Sequence, residues 1–277
     1  MEDIKLIAFD LDGTLFNSRK EITPATREAL ELAHSKGIEI VPVTGRFWKA
    51  IPENLKSLKF IRYAVTLNGA EVFDVKNLKS LANFNMPPSR AIATLLALSD
   101  IDNSICDCVI NGQGYMNKNF YEHIGEYMVG PWQTRIVRDL RIPVDDVCEL
   151  IAEKNQGVQK IQFYTNDKEL RENLLKALPV VFPKNSSTSS ISNNIEINDA
   201  TAHKGNGLKF LADYLNLKLE NVMAFGDGLN DVTMIKAAGI GVAMSNACRE
   251  VLEIADRVTL DCDHDGVAEE IKKCLCS

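Results

Sequence analysis

The sequence has little that would tie it to a membrane, a disulfide framework or a nucleic acid. No run approaches the ~18 apolar residues of a spanning helix. The opening MEDIKLIAFD has no basic region ahead of an apolar stretch, so it does not read as a signal peptide. The seven cysteines (Cys106, Cys108, Cys148, Cys248, Cys262, Cys274, Cys276) form no CxxC pair and no Cys/His spacing of zinc type. Reduced thiols in a cytoplasmic protein are therefore expected. Basic residues are in the minority: 31 Lys+Arg against 38 Asp+Glu give a net charge of −7. That balance argues against nucleic acid or an anionic membrane as a partner. The P-loop GxxxxGK[ST], a GxGxxG after a strand and HExxH are all missing, and with them the signatures of three common cofactor and metal chemistries. No internal repeat is present. What remains is an ordinary globular composition, 45% hydrophobic and 25% charged, in 277 residues. At roughly 100–200 residues per domain, that length suits one large domain or two modest ones.

Three short apolar runs read as strands: Ile4 to Phe9, the IEIVPV segment from Ile38, and Asn221 to Phe225. Continuous apolarity over that length suits strands covered on both faces, as in a parallel sheet between helices. Helical patterns alternate with them. Thr23-Pro24 supplies an N-cap and a first-turn proline, Ala29, Leu30 and Ala33 follow at helical spacing, and Gly37 ends the element. Leu208, Leu211, Ala212 and Leu215 form a second amphipathic set just before the Asn221 strand. The expected fold class is α/β, with a Rossmann-like parallel sheet built from βαβ units.

The middle of the chain follows a different pattern. Lys160, Ile161, Gln162 and Phe163 alternate, which predicts a strand with one wet face. Ile92, Leu95 and Leu96 predict a helix after Pro87-Pro88, and Pro143 is expected to open another near Val147 and Leu150. KNSSTSSISNN, Lys184 to Asn194, reads as a linker before the Ile195–Ile197 run. These features predict an α+β insertion with an antiparallel sheet at 84–190, within a discontinuous core of 1–83 and 191–277.

Chemistry concentrates at strand ends. DLDGT, Asp10 to Thr14, closes the first strand, and on extended backbone Asp10 and Asp12 would share a face. Two carboxylates about 4 Å apart repel by about 4 kcal/mol at an effective dielectric of 20. The pair persists if a cation bridges it, if one member is protonated, or if the chain turns one away. An Asp/Gly turn with no further role would carry the same letters. GDGLND, Gly226 to Asp231, follows another buried strand and offers Asp227, Asn230 and Asp231 at the sheet edge where open α/β folds bind ligands. Oxygen ligands from Asp10, Asp12 and Asp227 suit Mg²⁺. Thr44, Gly45 and Arg46 follow the IEIVPV strand, with a hydroxyl and amides expected to enter a helix where anions bind. Lys204, before the Leu208 helix, could bring a point positive charge to the same edge.

In this order DLDGT, VTGR, a Lys-Gly before a helix, and GDGLND resemble the four motifs of the haloacid dehalogenase (HAD) superfamily of phosphohydrolases. The wording GDGLNDVTMIKAAGIGVAMSNA, Gly226 to Ala247, is similar to the Cof-like branch, whose α/β cap is inserted between the second and third motifs. The resemblance is close over 1 to about 80 and about 195 to 277, and covers the middle by position and size. Ser245 stands where Gly is usual, and His203 where Ser is usual. The resemblance implies Mg²⁺-dependent hydrolysis of a small-molecule phosphate monoester, a sugar phosphate or similar metabolite, through an aspartyl-phosphate. Asp10 would be the nucleophile, and Asp12 the acid and then the base. Asp10, the main-chain carbonyl of Asp12, Asp227 and Asp231 would hold or position the metal. Thr44, Gly45, Lys204 and Asn230 would hold the phosphoryl oxygens. Residues 84–190 become a substrate-selecting cap, and the protein a monomer or weak homodimer.

Two rival functions use the same residues. A phosphosugar mutase would return the phosphoryl group from Asp10 to another hydroxyl of its substrate. A receiver-like phospho-acceptor also combines Asp, Thr and Lys at strand ends, but it gives the second Asp of DxDGT no task. Phe47 and Trp48 read as core aromatics, Asn68-Gly69 as a hairpin turn, and His34, His123 and His264 as residues outside the site.

Overall fold

In the computed structural model, residues 3–128 and 130–276 are described, without the side chains of residues 132, 133 and 276. The strands of the first half are β1 (Leu6–Phe9), β2 (Glu39–Pro42), β3 (Tyr63–Thr66), β4 (Glu71–Asp74), β5 (Lys79–Asn83), β6 (Ser104–Ile110) and β7 (Gln113–Asn117). Those of the second half are β8 (Arg141–Val144), β9 (Lys160–Thr165), β10 (Asn185–Thr188), β11 (Asn194–Asp199), β12 (Val222–Gly226), β13 (Ile240–Met244) and β14 (Arg257–Thr259). The chain divides into two compact units, 1–82 with 203–277, and 83–202.

The first unit is built on a five-stranded parallel sheet in the order β14-β13-β12-β1-β2. All four β1 side chains are buried, as the unbroken apolar run required. Ile7, Phe9, Ile40, Met223 and Phe225 form one core with Ala29, Leu30 and Ala33 of the helix Pro24–Ser35 and with Val267, Ala268 and Ile271 of the C-terminal helix. Thr23 caps the first of these helices by accepting the Thr26 amide at 3.1 Å, and Gly37 leaves it at φ +82. β3 and β4 form the hairpin signalled by Asn68-Gly69, joined in a small sheet by β5.

The second unit holds a six-stranded sheet in the order β10-β11-β9-β6-β7-β8, mostly antiparallel, with β7 and β8 parallel. Cys106, Cys108, Ile161, Phe163, Ile195 and Ile197 line one face and pack with residues of the helices Pro88–Ser99, Val147–Lys154 and Lys168–Val181. On the other face Ile105, Met116 and Tyr164 join Ile124 in a second apolar cluster.

Several expectations for this unit change. Its second boundary lies at 202/203 and not at 190/191, because the Ile195–Ile197 run pairs with β9 and buries its isoleucines in this unit's core. The polar tract before it contains β10, zipped to β11, and is no linker. β9 has no wet face: all six residues are buried, and Lys160 pairs with Glu196 at 2.9 Å. Pro143 lies in β8, at the end of the sheet order where a missing amide is tolerated, and the next helix starts after the Asp146 cap. Among the described residues no helix is long and apolar enough to cross a membrane.

Candidate active site

The carboxyl edge of the five-stranded sheet gathers the chemistry. β1 ends at Phe9 and β12 runs beside it in register, so Asp10 and Asp227 emerge from adjacent parallel strands. Asp10, Asp227 and Asp231 each present an oxygen within 4.8 Å of the others. Lys204 is fully buried between two of them, with Nζ donating to Asp10 Oδ1 at 2.5 Å and Asp231 Oδ1 at 2.6 Å. The other oxygen of Asp231 accepts the amides of Asp227 and Gly228 at 2.9 and 2.8 Å, folding the GDGLND turn around that carboxylate. Thr14 closes the ring by donating to Asp227 Oδ1 at 2.6 Å.

One cation therefore faces three carboxylates, and the electrostatics follow. Burial pushes the Asp10 carboxyl above its usual range against the pull of Lys204, and the charges of Asp231 and Asp227 add to the rise. Burial also pushes Asp227 up to about 6, opposed by the Thr14 hydroxyl and reinforced by Asp231. Lys204 stays charged: burial works against its ammonium, but Asp10 and Asp231 outweigh it. A hard cation with oxygen ligands fits this donor set, since it would relieve the surplus negative charge.

Asp12 does not join the cluster. The strand stops before it, so Asp10 and Asp12 are not held on one face by extended backbone. Of the three ways to keep such a pair, this chain turns one away. Arg46 grips Asp12 with a fork, Nε to Oδ2 at 2.8 Å and Nη2 to Oδ1 at 2.9 Å, and Lys20 donates to Oδ1 at 2.8 Å. Burial works to raise its pKa, yet the two cations hold Asp12 down at about 2.

Three independent comparisons bear on this arrangement. The sequence profile of the haloacid dehalogenase-like hydrolases matches residues 7–271. The chain belongs to that family. A 5-amino-6-(5-phospho-D-ribitylamino)uracil phosphatase of Bacillus subtilis is 34% identical over 98% of this chain and 95% of its own. A solved haloacid dehalogenase-like hydrolase from B. subtilis superposes with a TM-score of 0.84 at 30% identity, over 97% and 99% of the two chains. A solved HAD subclass IIB sugar phosphatase gives 0.79 at 27% identity, over 99% and 100%. The protein is thus a HAD-type phosphatase of the Cof-like branch.

For a HAD-like hydrolase, the remaining motif residues are informative. Thr44 is buried at the carboxyl end of β2, its hydroxyl accepting the Arg46 amide at 3.2 Å. No helix follows it. The chain bends through Gly45 into a three-residue helical turn at Trp48–Ala50, so the expected helix N-terminus is absent there. Asn230 donates to the Asn68 side chain at 3.2 Å, which ties the hairpin turn to GDGLND. In sequence Asn68 reads first as a turn residue and second as a cap-facing contact, and its tie to Asn230 is not foreseen. His203 takes the place of the usual Ser by capping the next helix, its Nδ1 accepting the Asn206 amide at 3.1 Å. Burial lowers the pKa of His203, which favours the neutral ring that such a cap needs. Asn246 reaches the Gly13 carbonyl at 2.9 Å and accepts the Cys262 amide at 3.1 Å, steadying the DLDGT loop. In sequence its neighbour Ser245 stands out, and Asn246 carries no assigned role. Trp48 stacks on Phe73 at 5.6 Å and Phe47 is buried, in keeping with core aromatics.

Proposed function

We propose that the protein hydrolyses a small phosphate monoester, a sugar or polyol phosphate, through an aspartyl-phosphate on Asp10. The observation that carries this reading is the burial of Lys204 between Asp10 and Asp231 beside Asp227. Phosphoryl transfer depends on positioning and charge neutralisation, and this is a site of concentrated, fixed charge. Lys204 engages one Asp10 oxygen, while Oδ2 accepts no hydrogen bond among the described residues and is the oxygen suited to attack phosphorus.

Asp10, Asp227, Asp231 and the main-chain carbonyl of Asp12 would hold Mg²⁺, which supplies charge neutralisation for the phosphoryl oxygens when bound. Lys204 supports the same oxygens, with Thr44, the Gly45 amide and Asn230 as further donors. Asp12 protonates the leaving oxygen and later takes a proton from the attacking water. Residues 83–202 act as the substrate-selecting cap. The names of the two relatives, one acting on a ribityl phosphate and one a sugar phosphatase, support the polyol or sugar class.

Phosphate release from a panel of sugar phosphates, nucleotides and cofactor phosphates with Mg²⁺ tests this. Turnover is expected for sugar or polyol phosphates and should vanish in Asp10→Asn. Isomerised sugar phosphate without phosphate release would replace hydrolysis by a mutase reaction.

A further inference from the structure

The DLDGT aspartate that leaves the acidic cluster is held by more than chance contact. Asp12 receives three charge-assisted hydrogen bonds, two from the Arg46 fork and one from Lys20. Each donor is itself fixed. Arg46 also donates from Nη1 to the Ala50 carbonyl at 3.3 Å, its amide rests on the Thr44 hydroxyl, and its carbonyl accepts the Leu67 amide at 3.0 Å. Lys20 sits in a tight flap at φ +62, in which Asn17 Oδ1 accepts the amides of Arg19 and Glu21 at 3.0 and 2.9 Å. Asn54 donates to the Lys20 carbonyl at 3.1 Å, and Asp263 accepts the Ser18 amide at 2.8 Å. The holding groups are thus braced from four separate stretches of chain.

An ionised carboxylate offers about four lone-pair positions. Oδ1 uses two, on Arg46 and Lys20, and Oδ2 uses one, on Arg46. Among the described residues no other group binds this carboxylate, which leaves one position, on Oδ2. We propose that Arg46 is a positioning residue for Asp12: its planar fork fixes the carboxyl rotation so that this single remaining lone pair carries the transferred proton. The inference rests on the proposed role of Asp12. Asp12 rests ionised, so the first step starts from the form protonated at that position: an Asp10 oxygen bonds to phosphorus, the bond from phosphorus to the leaving oxygen breaks, and that oxygen takes the proton from Asp12. In the second, a water oxygen bonds to phosphorus, its proton passes to Asp12, and the bond to Asp10 breaks. A lysine at position 46 would keep the charge but could not hold both oxygens in one plane.

The test is the dependence of kcat/KM on the leaving group, across aryl phosphates from p-nitrophenyl to phenyl phosphate. A good leaving group needs no proton, so a positioning role predicts a selective loss. Arg46→Ala should stay within about threefold of the wild type on p-nitrophenyl phosphate and lose on the order of 10- to 100-fold on phenyl phosphate. Arg46→Lys should show most of the same bias and guards against a folding failure in the alanine variant. Asp12→Asn should show the bias too, and adding Arg46→Ala to it should cost nothing more on phenyl phosphate. A uniform loss across the series, an unchanged slope, or multiplying losses in the double variant would each overturn the proposal. If wild-type protein released no phosphate, or Asp10→Asn retained it, the functional reading itself would fail instead.

Discussion

At the scale of single residues, the site is an unequal charge balance built around Lys204. Among the described residues its ammonium is the one cation paired with both Asp10 and Asp231, and all three groups are shielded from water. Removing one partner of such a cluster strands the others in low dielectric. Lys204→Met is therefore expected to abolish measurable turnover and to cost about 3–5 kcal/mol of stability in urea unfolding of the metal-free protein. A stable, inactive variant would mean that the lysine serves the reaction alone and not the fold. Among sequence signals Lys204 was the faintest, because a lone lysine usually lies at the surface. Its significance came from position: it opens a helix whose Gly205 lies so close to the Thr233 carbonyl that a Cβ would collide there. That close approach sinks the lysine stem into the sheet edge.

Among elements, the loop after β1 carries most of the specificity of geometry. Gly13 adopts φ +88, and a Cβ there would press on the Asp227 carboxylate. Gly13→Ala should cost about 1–3 kcal/mol from backbone strain and displace Asp227. Phosphate release by this variant should need a higher Mg²⁺ concentration for half-maximal rate. An unchanged Mg²⁺ dependence would detach Gly13 from the proposed metal site. The DLDGT and GDGLND wording was legible because strand, turn and ligand lie within a few residues of each other, and the parallel strands fix their ends side by side. Asp12 was not legible in the same way. Its placement depends on Arg46 and Lys20, which reach it from a different strand end and from a flap, and no local pattern encodes that meeting. The polar Asn194–Asp199 strand escaped the apolar criterion for the same kind of reason. Glu196 and Asn198 are buried through partners distant in sequence, Lys160 for Glu196 and the Gln159 carbonyl for Asn198.

For the whole molecule, the division at 82/83 and 202/203 gives each unit its own sheet and apolar core. The segment 83–202 expressed alone is expected to fold, with a single cooperative thermal transition by circular dichroism. A fragment without that transition would make the two units one folding entity. The strand order of the first unit has a further consequence for how the protein is made. β1 is an interior strand, flanked by β12 and β2, yet β12 follows it by more than two hundred residues. At about 5–20 residues per second on the ribosome, one side of β1 waits on the order of tens of seconds for its partner. Throughout that interval a fully apolar strand has an open hydrogen-bonding edge. The inserted unit, which emerges complete within the same interval, can fold before the sheet that brackets it. The nascent chain should therefore be a chaperone client until the last strands arrive.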